Sequence, residues 1–264
     1  MGVLNITPDS FADGGRYYRS GKLVVSEVQK VALEMLESGA SVLDIGGEST
    51  RPGAAAVSVA EELDRVMPVI NALSALDIIL SVDTRHGEVA RAAIAAGVHM
   101  INDISAGADE TLVAAVADST VAYAIMHMQG EPATMQKLPQ YGNVAEEVSA
   151  YLETRCQHCV ARGIERDRIL LDPGFGFGKT LEHNLALLAG LADIWVGDCA
   201  LLVGLSRKSM LGKITGREVA EREVASVSAA LVAVQAGADV VRVHDVAATA
   251  DGLKIWQAVA SARQ

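Results

Sequence analysis

Cysteine, basic residues and long apolar runs are scarce in this sequence, and each scarcity excludes a class of protein. Three cysteines cannot build a disulfide framework, and no uninterrupted apolar run is long enough to span a bilayer. Basic residues number 22 against 33 acidic ones, and the net charge of -11 argues against binding to nucleic acid or to an anionic membrane. The first residues lack the basic segment of a signal peptide. We therefore expect a cytoplasmic protein without a nucleic-acid or membrane partner.

The cysteines themselves offer one motif that resembles a metal site. Cys156 and Cys159 have the spacing of half a zinc site, but the sequence contains no second pair of cysteines. Cys156 also continues an apolar stripe at helical spacing, formed with Val148, Leu152 and Val160. The sequence therefore predicts small, packed thiols in a reducing compartment rather than metal ligands.

Half of the residues are hydrophobic, and they fall into eight successive units of a short apolar segment followed by a segment with helical spacing. The predicted strands lie in VLNIT, SVLDIGG, DIILSVDT, VHMINDIS, VAYAIMHM, ILLD, ALLVGLSRKSM and ADVVRVHD. The predicted helices cover residues 23–36, 59–76, 86–96, 109–118, 144–162, 181–191, 219–235 and 246–262. Four helices are followed by a glycine in the usual capping position, namely Gly39, Gly97, Gly163 and Gly237.

Apolar strands that alternate with helices are typical of a parallel sheet covered by helices, and hence of the α/β class. Eight such units close most naturally into a (β/α)8 TIM barrel. No linker or low-complexity segment divides the sequence, so we expect a single domain over residues 1–264. An open, doubly wound sheet is the alternative.

The stretch ILLDPGFGFGKT, residues 169–180, carries one predicted strand into a glycine-rich loop. Asp172 ends the strand, and the alternating glycines that follow Pro173 let the backbone approach a ligand closely. The glycine spacing matches neither the phosphate-binding loop nor the dinucleotide fingerprint. A plain tight turn is therefore the alternative, but the same arrangement recurs at other strand ends and favours an active site.

Nine polar residues follow or end the predicted strands, where the catalytic face of such a barrel lies. They are Asn5, Thr50, Arg51, Asp83, Asn102, Asp172, Lys208, Arg242 and His244. Each has a structural alternative: Asp83 could cap the next helix, Asn102 could satisfy loop amides, and Arg242 could pair with Asp239 or Asp245. Nine such residues at one mouth, against an acidic exterior, are difficult to explain as chance.

The nine residues suit a ligand with two chemically different halves. One set can hold a flat, nitrogen-rich heterocycle, because a carboxylate accepts two parallel N–H bonds from an amidine-like edge. This set comprises Asp83, Asn102, Asp172 and Lys208. A second set supplies positive charge for phosphate, together with the backbone N–H groups of the glycine-rich segments. It comprises Arg51, Arg242 and His244.

Eight motifs in order now identify a resemblance: LNITPDSFADGG, DIGGESTRPG, SVDT, INDIS, MHMQG, LDPGFGFGKT, GLSRKSMLG and RVHDV. From residue 2 to about residue 258 the sequence resembles the dihydropteroate synthases, a family of pterin-binding TIM-barrel enzymes. The resemblance implies a sulfonamide-target transferase of folate biosynthesis. It would condense 6-hydroxymethyl-7,8-dihydropterin diphosphate with p-aminobenzoate to form 7,8-dihydropteroate and pyrophosphate. The resemblance also implies Mg²⁺ and a homodimer formed through back-face helices.

The resemblance assigns a role to each matching residue. The pterin would be held by Asp83, Asn102, Asp172 and Lys208. The diphosphate and its Mg²⁺ would be surrounded by Asn5, Thr50, Arg51, Arg242 and His244, with Asn5 as the metal ligand. The p-aminobenzoate pocket would be bordered by Phe177, Lys208 and Ser209 and completed by the loops at residues 8–15 and 48–53. The catalytic set would be Asp83, Lys208, Arg242 and His244, in an SN1-like route that the closing loops protect from water.

Two departures and two alternatives accompany this resemblance. Family members usually carry a segment before the first strand, and the chain begins on that strand, so a longer natural protein is one expectation. Ala12 stands where serine is commoner in the first loop. A methyltetrahydrofolate-dependent methyltransferase would keep the pterin contacts, but it has no use for a diphosphate clamp. A pterin-binding protein that has lost turnover is the non-enzymatic alternative.

Overall fold

The computed structural model describes residues 1–8, 15, 17–49, 57–131, 134–194 and 197–262. In chain order the strands are β1 (Gly2–Asn5), β2 (Tyr18–Arg19), β3 (Lys22–Leu23), β4 (Val42–Gly46), β5 (Ile79–Asp83), β6 (Met100–Asp103), β7 (Ala122–Met126), β8 (Ile169–Asp172), β9 (Ala200–Val203) and β10 (Val240–Val241). The helices are α1 (Val25–Glu37), α2 (Val59–Leu73), α3 (Gly87–Ala95), α4 (Glu110–Ala117), α5 (Val144–Ala161), α6 (Leu181–Ala189), α7 (Ser209–Thr215), α8 (Glu223–Gln235) and α9 (Val246–Ser261). Strands and helices alternate along most of the chain, as the sequence predicts.

Eight of the strands form one sheet in the order β1, β4, β5, β6, β7, β8, β9 and β10, and every pairing in it is parallel. The two ends of this sheet approach each other, because Val243 follows β10 and bonds to the start of the chain. Val3 N donates to Val243 O at 3.1 Å, and Val243 N donates to Met1 O at 2.9 Å. The predicted α/β fold is therefore confirmed as a curled, eight-stranded parallel sheet with helices around it.

The alternation of side chains along each strand separates the helix side of the sheet from the concave side. On the helix side, residues such as Leu43, Ile45 and Ile101 are fully buried in the main hydrophobic core. On the concave side a second apolar cluster contains Met100, Ala124 and Leu202. Above this cluster, toward the carboxyl ends of the strands, the concave side becomes polar. The concave side of the sheet therefore carries a polar layer at the carboxyl ends of the strands and an apolar layer beneath it.

The structure corrects several boundaries that the sequence predicts. The predicted seventh strand, residues 200–210, ends at Val203, and its last two residues begin α7. Arg207 between them has φ of 58°, which no strand can accommodate. The first predicted helix begins at Val25 rather than residue 23, because β2 and β3 form an antiparallel hairpin. The predicted helix at 219–235 is divided into a 3₁₀ turn at Val219–Glu221 and α8.

The cysteines are buried and carry no disulfide, as the packing prediction requires. Cys156 Sγ lies 3.5 Å from Cys199 Sγ, inside the main core. The predicted stripe is wrong at Val160, which is 41% exposed, whereas Cys159 is buried in its place. No helix within the described ranges has the length and hydropathy needed to cross a membrane.

Candidate active site

The centre of the polar layer is an ion-paired cluster that joins strands from both ends of the sheet. Arg242 donates through Nε to Asp44 Oδ2 at 2.6 Å and through Nη2 to Asp83 Oδ2 at 2.9 Å. Ser81 Oγ donates to Asp44 Oδ1 at 2.6 Å, and Asn102 Nδ2 donates to Asp44 Oδ2 at 3.2 Å. The structure thus brings three predicted site residues, Arg242, Asp83 and Asn102, together around a fourth residue, Asp44.

Asp44 is the residue that the sequence prediction missed. It lies in the middle of β4 between two buried apolar residues, Leu43 and Ile45, and it is fully buried. The alternative partners considered for Arg242 are wrong. Asp239 instead accepts from Leu201 N at 2.8 Å, and Asp245 pairs with Arg207.

Charge in this cluster is not balanced by the guanidinium alone. Burial raises the pKa of Asp83, and Arg242 opposes that rise. Burial by itself would lower the pKa of Arg242, but Asp44 and Asp83 hold it above its ordinary value. Two carboxylates share one permanent cation, so this part of the pocket favours a ligand that donates hydrogen bonds or carries positive charge.

Asp172 and Lys208 form the second charged part of the pocket. Asp172 is buried at the end of β8, and its Oδ1 accepts from Gly174 N at 2.7 Å. Burial raises the pKa of Asp172, while Lys208 and the Gly174 N–H oppose the rise. Burial lowers the pKa of Lys208 to about 8, and Asp172 opposes that fall. Lys208 Nζ donates to Phe175 O and lies 4.9 Å from the centre of the Phe177 ring.

The glycine-rich loop, residues 173–178, needs glycine at two positions for steric reasons. Gly174 has φ of 67°, and a Cβ there would lie 1.9 Å from His127 O. Gly178 has φ of 60°, and a Cβ there would lie 2.4 Å from Gln129 O. Any other residue would push the loop away from the segment that follows β7. These two glycines therefore let the loop pack against the backbone that follows β7, and the predicted close approach of the loop to a ligand stays a prediction.

The remaining predicted residues lie around the same mouth. Asn5 ends β1, and a Cβ built on Gly46 would lie 3.8 Å from Asn5 Oδ1 and 3.7 Å from Asp83 Cβ. His244 Nδ1 lies 3.0 Å from Ser206 Oγ. Ser209 is exposed and begins α7 directly after Lys208. Thr50 and Arg51 lie outside the described residues, as do most of the two loops predicted to complete the second pocket.

Among the described residues, one group of possible metal ligands lies beside this mouth. Single ligand atoms of Glu48, Glu62 and His86 lie within 4.8 Å of one another. Both oxygens of Glu48 accept from Arg85 at 3.0 Å, and Glu62 Oε2 lies 2.6 Å from His86 Nδ1. Val57 N also donates to Glu48 Oε1 at 3.2 Å. These pairings tie the β4 and β5 loops together and do not require a metal.

Comparison with known proteins places this arrangement in a family. The sequence model of the family described as pterin binding enzyme matches residues 1–244. The dihydropteroate synthase of Haemophilus influenzae is 46% identical over 263 residues, which is 99% of this chain and 94% of that protein. The dihydropteroate synthase of Escherichia coli is 44% identical over 265 residues, which is 100% of this chain and 92% of that protein.

Solved structures agree with the sequence comparison. A Yersinia pestis dihydropteroate synthase in a sulfonamide drug complex superposes with a TM-score of 0.94 at 44% identity, covering 98% of this chain and 93% of that one. A Burkholderia cenocepacia dihydropteroate synthase complexed with 7,8-dihydropteroate superposes with a TM-score of 0.89 at 45% identity, covering 99% and 91%. The resemblance deduced from the motifs is confirmed, and the chain belongs to the pterin-binding enzymes as a member of the dihydropteroate synthase family.

Proposed function

We propose that this chain is a transferase that joins 6-hydroxymethyl-7,8-dihydropterin diphosphate to p-aminobenzoate, forming 7,8-dihydropteroate and releasing pyrophosphate. The observation that carries the proposal is the set of buried acceptors and donors at the strand ends, in a chain that is 45% identical to a protein complexed with 7,8-dihydropteroate. The relatives compared above are dihydropteroate synthases, which favours this reaction over the methyltransferase alternative.

The pterin half of the substrate fits the described part of the pocket. The carboxylates of Asp83 and Asp172 can accept N–H bonds from the ring, and Asn102 and Lys208 can donate to its acceptors. These side chains lie on different strands whose positions are fixed by parallel pairing, so the ring would meet a preformed surface. Phe177 and Ser209 flank Lys208 and would border the p-aminobenzoate ring.

The diphosphate half would lie against Arg242 and His244. The two ion pairs of Arg242 use Nε and Nη2, so Nη1 would be the donor to a diphosphate oxygen. We assign Thr50 and Arg51 to the same anion by their match to the family. In an SN1-like step the C–O bond breaks and its electron pair leaves with pyrophosphate. The p-aminobenzoate amine then bonds to the cationic carbon and loses a proton, while Asp83 opposes the positive charge.

Mg²⁺ is the expected cofactor, and Asn5 is the residue proposed to hold it. Its amide oxygen is a hard ligand of the kind that Mg²⁺ prefers, and both this oxygen and Asp83 Oδ2 lie within 4 Å of the position that a Cβ on Gly46 would take. One protein oxygen is consistent with an ion that keeps water and substrate phosphate among its ligands. When bound, Mg²⁺ would neutralise charge on the departing diphosphate.

The assay that tests this function measures pyrophosphate release. We expect rapid, sustained release only when the pterin diphosphate, p-aminobenzoate and Mg²⁺ are all present. Omitting p-aminobenzoate should leave slow release or a partial burst, because the cation forms before the amine attacks. If p-aminobenzoate has no effect on the rate and no dihydropteroate forms, the proposed reaction is wrong.

We also propose that the curled sheet closes into a complete (β/α)8 barrel and that residues 1–264 form a single cytoplasmic domain. The parallel bridge between Gly2 and Val243 supports closure, because it joins the first strand to the segment after the last one. Chain pairing on both edges would remove the exposed strand edges that an open sheet leaves.

A homodimer is the proposed assembly, and α8 and α9 are the proposed contact. These helices pack together where Gly252 meets Val227, and they expose large apolar side chains to solvent. The exposed residues are Val224, Val232, Ile255, Trp256 and Val259. Apolar side chains exposed on two neighbouring helices favour a protein interface.

Replacing Ile255 with glutamate should convert the dimer to a monomer, because a charge would be buried without a partner at the interface. Ile255 is 69% exposed in the single chain, so the substitution should leave the monomer folded. Sedimentation velocity measures the mass, and Leu138→Glu, at an 86% exposed loop position, is the matched control. A wild-type chain that sediments as a monomer at micromolar concentration would rule the assembly out.

A further inference from the structure

Lys179, immediately after the glycine-rich loop, is a buried ammonium with three acceptors. The residue is 3% exposed. Its Nζ lies 2.9 Å from His127 Nδ1, 2.9 Å from Gly174 O and 3.1 Å from Phe177 O. An ammonium has three N–H donors, so these three contacts use all of them. None of these contacts is to a carboxylate, so among the described residues two backbone carbonyls and His127, rather than an ion pair, hold the ammonium.

His127 is the fixed acceptor of this arrangement. In its charged form Lys179 only donates, so Nδ1 then accepts and the imidazole is neutral, with its hydrogen on Nε2. Burial and then the charge of Lys179 lower the pKa of His127 to about 3, in agreement with that assignment. The ring also packs edge-on against Tyr151 with centroids 4.9 Å apart. His127 therefore stays neutral and in place across the physiological pH range.

Side chains hold the backbone carbonyls along the whole glycine-rich loop from Gly174 to Gly178. Lys208 donates to Phe175 O, Gln136 Nε2 donates to Gly176 O at 2.6 Å, and Tyr141 Oη donates to Gly178 O at 2.9 Å. Lys179 donates to the other two carbonyls, those of Gly174 and Phe177. The same two residues close a turn, in which Phe177 N donates to Gly174 O at 3.1 Å. Lys179 is thus the central support of the loop.

Lys179 also influences the charge of Asp172, the carboxylate assigned to pterin binding. Asp172 is buried, and the positive charge of Lys179 is one of the influences that oppose the resulting rise in the pKa of Asp172. Burial lowers the pKa of Lys179 to about 7, and Asp172 opposes that fall. The two groups therefore favour each other's charged forms.

We propose that Lys179 is a positioning residue for the synthase reaction. By holding the carbonyl groups of Gly174 and Phe177, it fixes the glycine-rich loop and so orients Asp172 for the pterin and Phe177 for p-aminobenzoate. This role rests on the proposed function. It differs from the roles of the nine strand-end residues, because Lys179 reaches the substrates only through the backbone and side chains that it holds. His127 is its supporting acceptor.

Two substitutions separate the contribution of charge from that of hydrogen bonding. Lys179→Met removes both, whereas Lys179→Gln removes the charge and keeps two N–H donors on a shorter side chain. Lys179→Met should weaken pterin binding by about tenfold or more and raise the KM for p-aminobenzoate, since loop carbonyls and His127 lose their donor. Lys179→Gln should recover part of the loss. Lys30→Met, at an exposed position on α1, is the control and should change neither value.

The pH profile distinguishes positioning from a merely structural role. Below about pH 7, where wild-type Lys179 is charged, that charge opposes the rise in the pKa of Asp172. Without it the pKa of Asp172 should rise further, so pterin affinity in both variants should fall at a higher pH on acidification than in the wild type. A purely structural role would lower the Tm and leave the pH profile and the KM of the folded enzyme unchanged.

Pterin binding by calorimetry from pH 5 to pH 8.5, with Tm as the folding check, decides the matter. A folded Lys179→Met or Lys179→Gln protein whose pterin affinity, KM and pH profile stay within twofold of the wild type would overturn the role. If Lys179→Met does not fold, Lys179→Gln carries the test. Absence of turnover in the wild type would count against the proposed function instead, because the pterin affinity of the variants can still be compared.

Discussion

Arg242→Met should cost about 3–5 kcal/mol of unfolding free energy at neutral pH. The guanidinium is mostly buried, its two partners are Asp44 and Asp83, and Asp44 is fully buried. Removing the cation leaves two carboxylates close together, and only the neutral donors of Ser81 and Asn102 remain to stabilise Asp44. Urea unfolding at pH 8 measures the loss. Arg162→Met is the matched control, since its ion pair with Glu110 is about half exposed and should contribute at most about 1 kcal/mol.

The loss should shrink as the pH falls, and the sign follows from Asp83. The pKa of Asp83 is raised in the folded protein, so protonation of Asp83 favours folding. This contribution to stability is fully present below the unfolded pKa and is lost as the pH rises through the folded pKa. Without Arg242 the folded pKa rises further, so protonation relieves the repulsion over a wider range. Arg242→Met should therefore lose less stability at pH 5 than at pH 8. A loss below 1 kcal/mol at pH 8, or a loss equal at both values, would contradict this account.

A double-mutant cycle tests the same cluster from the other side. Asp44→Asn removes one negative charge and leaves Arg242 paired with Asp83. Because position 44 is already neutral in the Asp44→Asn background, Arg242→Met should reduce the unfolding free energy by less there than in the wild type. The coupling energy from this cycle measures how much of the stabilisation by Arg242 depends on the charge of Asp44.

The sequence identified strand-end residues well because proline, glycine or a polar loop follows them. Asp172 precedes Pro173, Asp83 ends β5, and Asn102 is the next-to-last residue of β6. Asp44 was missed because it lies inside such an apolar run, where only the alternation of side chains shows that it faces the concave side. That alternation becomes informative once parallel pairing has fixed which face of the strand is enclosed.

Long-range contacts set the other limit on prediction. Arg242 pairs with carboxylates 198 and 159 residues away in the chain, and the sequence offered nearer acids as alternatives. Lys179 meets His127 across 52 residues, so its support of the glycine-rich loop cannot be read from local spacing. In the same way, the polar stretch before α7 breaks the predicted strand because Arg207 is held by Asp245 and by Ser226, both on later segments.

Asp172→Asn should weaken pterin binding by about 10- to 150-fold, which corresponds to about 1.5–3 kcal/mol for a hydrogen bond to a charged group. The fold should survive, because the substitution conserves volume and the asparagine Oδ1 can still accept from Gly174 N. What is lost is the second acceptor oxygen and the negative charge opposite the ring. Calorimetric titration with the pterin measures the effect.

The pH dependence makes this assignment specific to the carboxylate. Burial raises the pKa of Asp172, so wild-type pterin affinity should fall as acidification protonates it, whereas Asp172→Asn should have a flatter profile. Asp167→Asn, at an exposed position in the turn before β8, is the matched control and should bind like the wild type. An Asp172→Asn protein that binds the pterin within twofold of wild type would remove Asp172 from the site. The heterocycle would then have to be recognised at the Asp44–Arg242–Asp83 cluster alone.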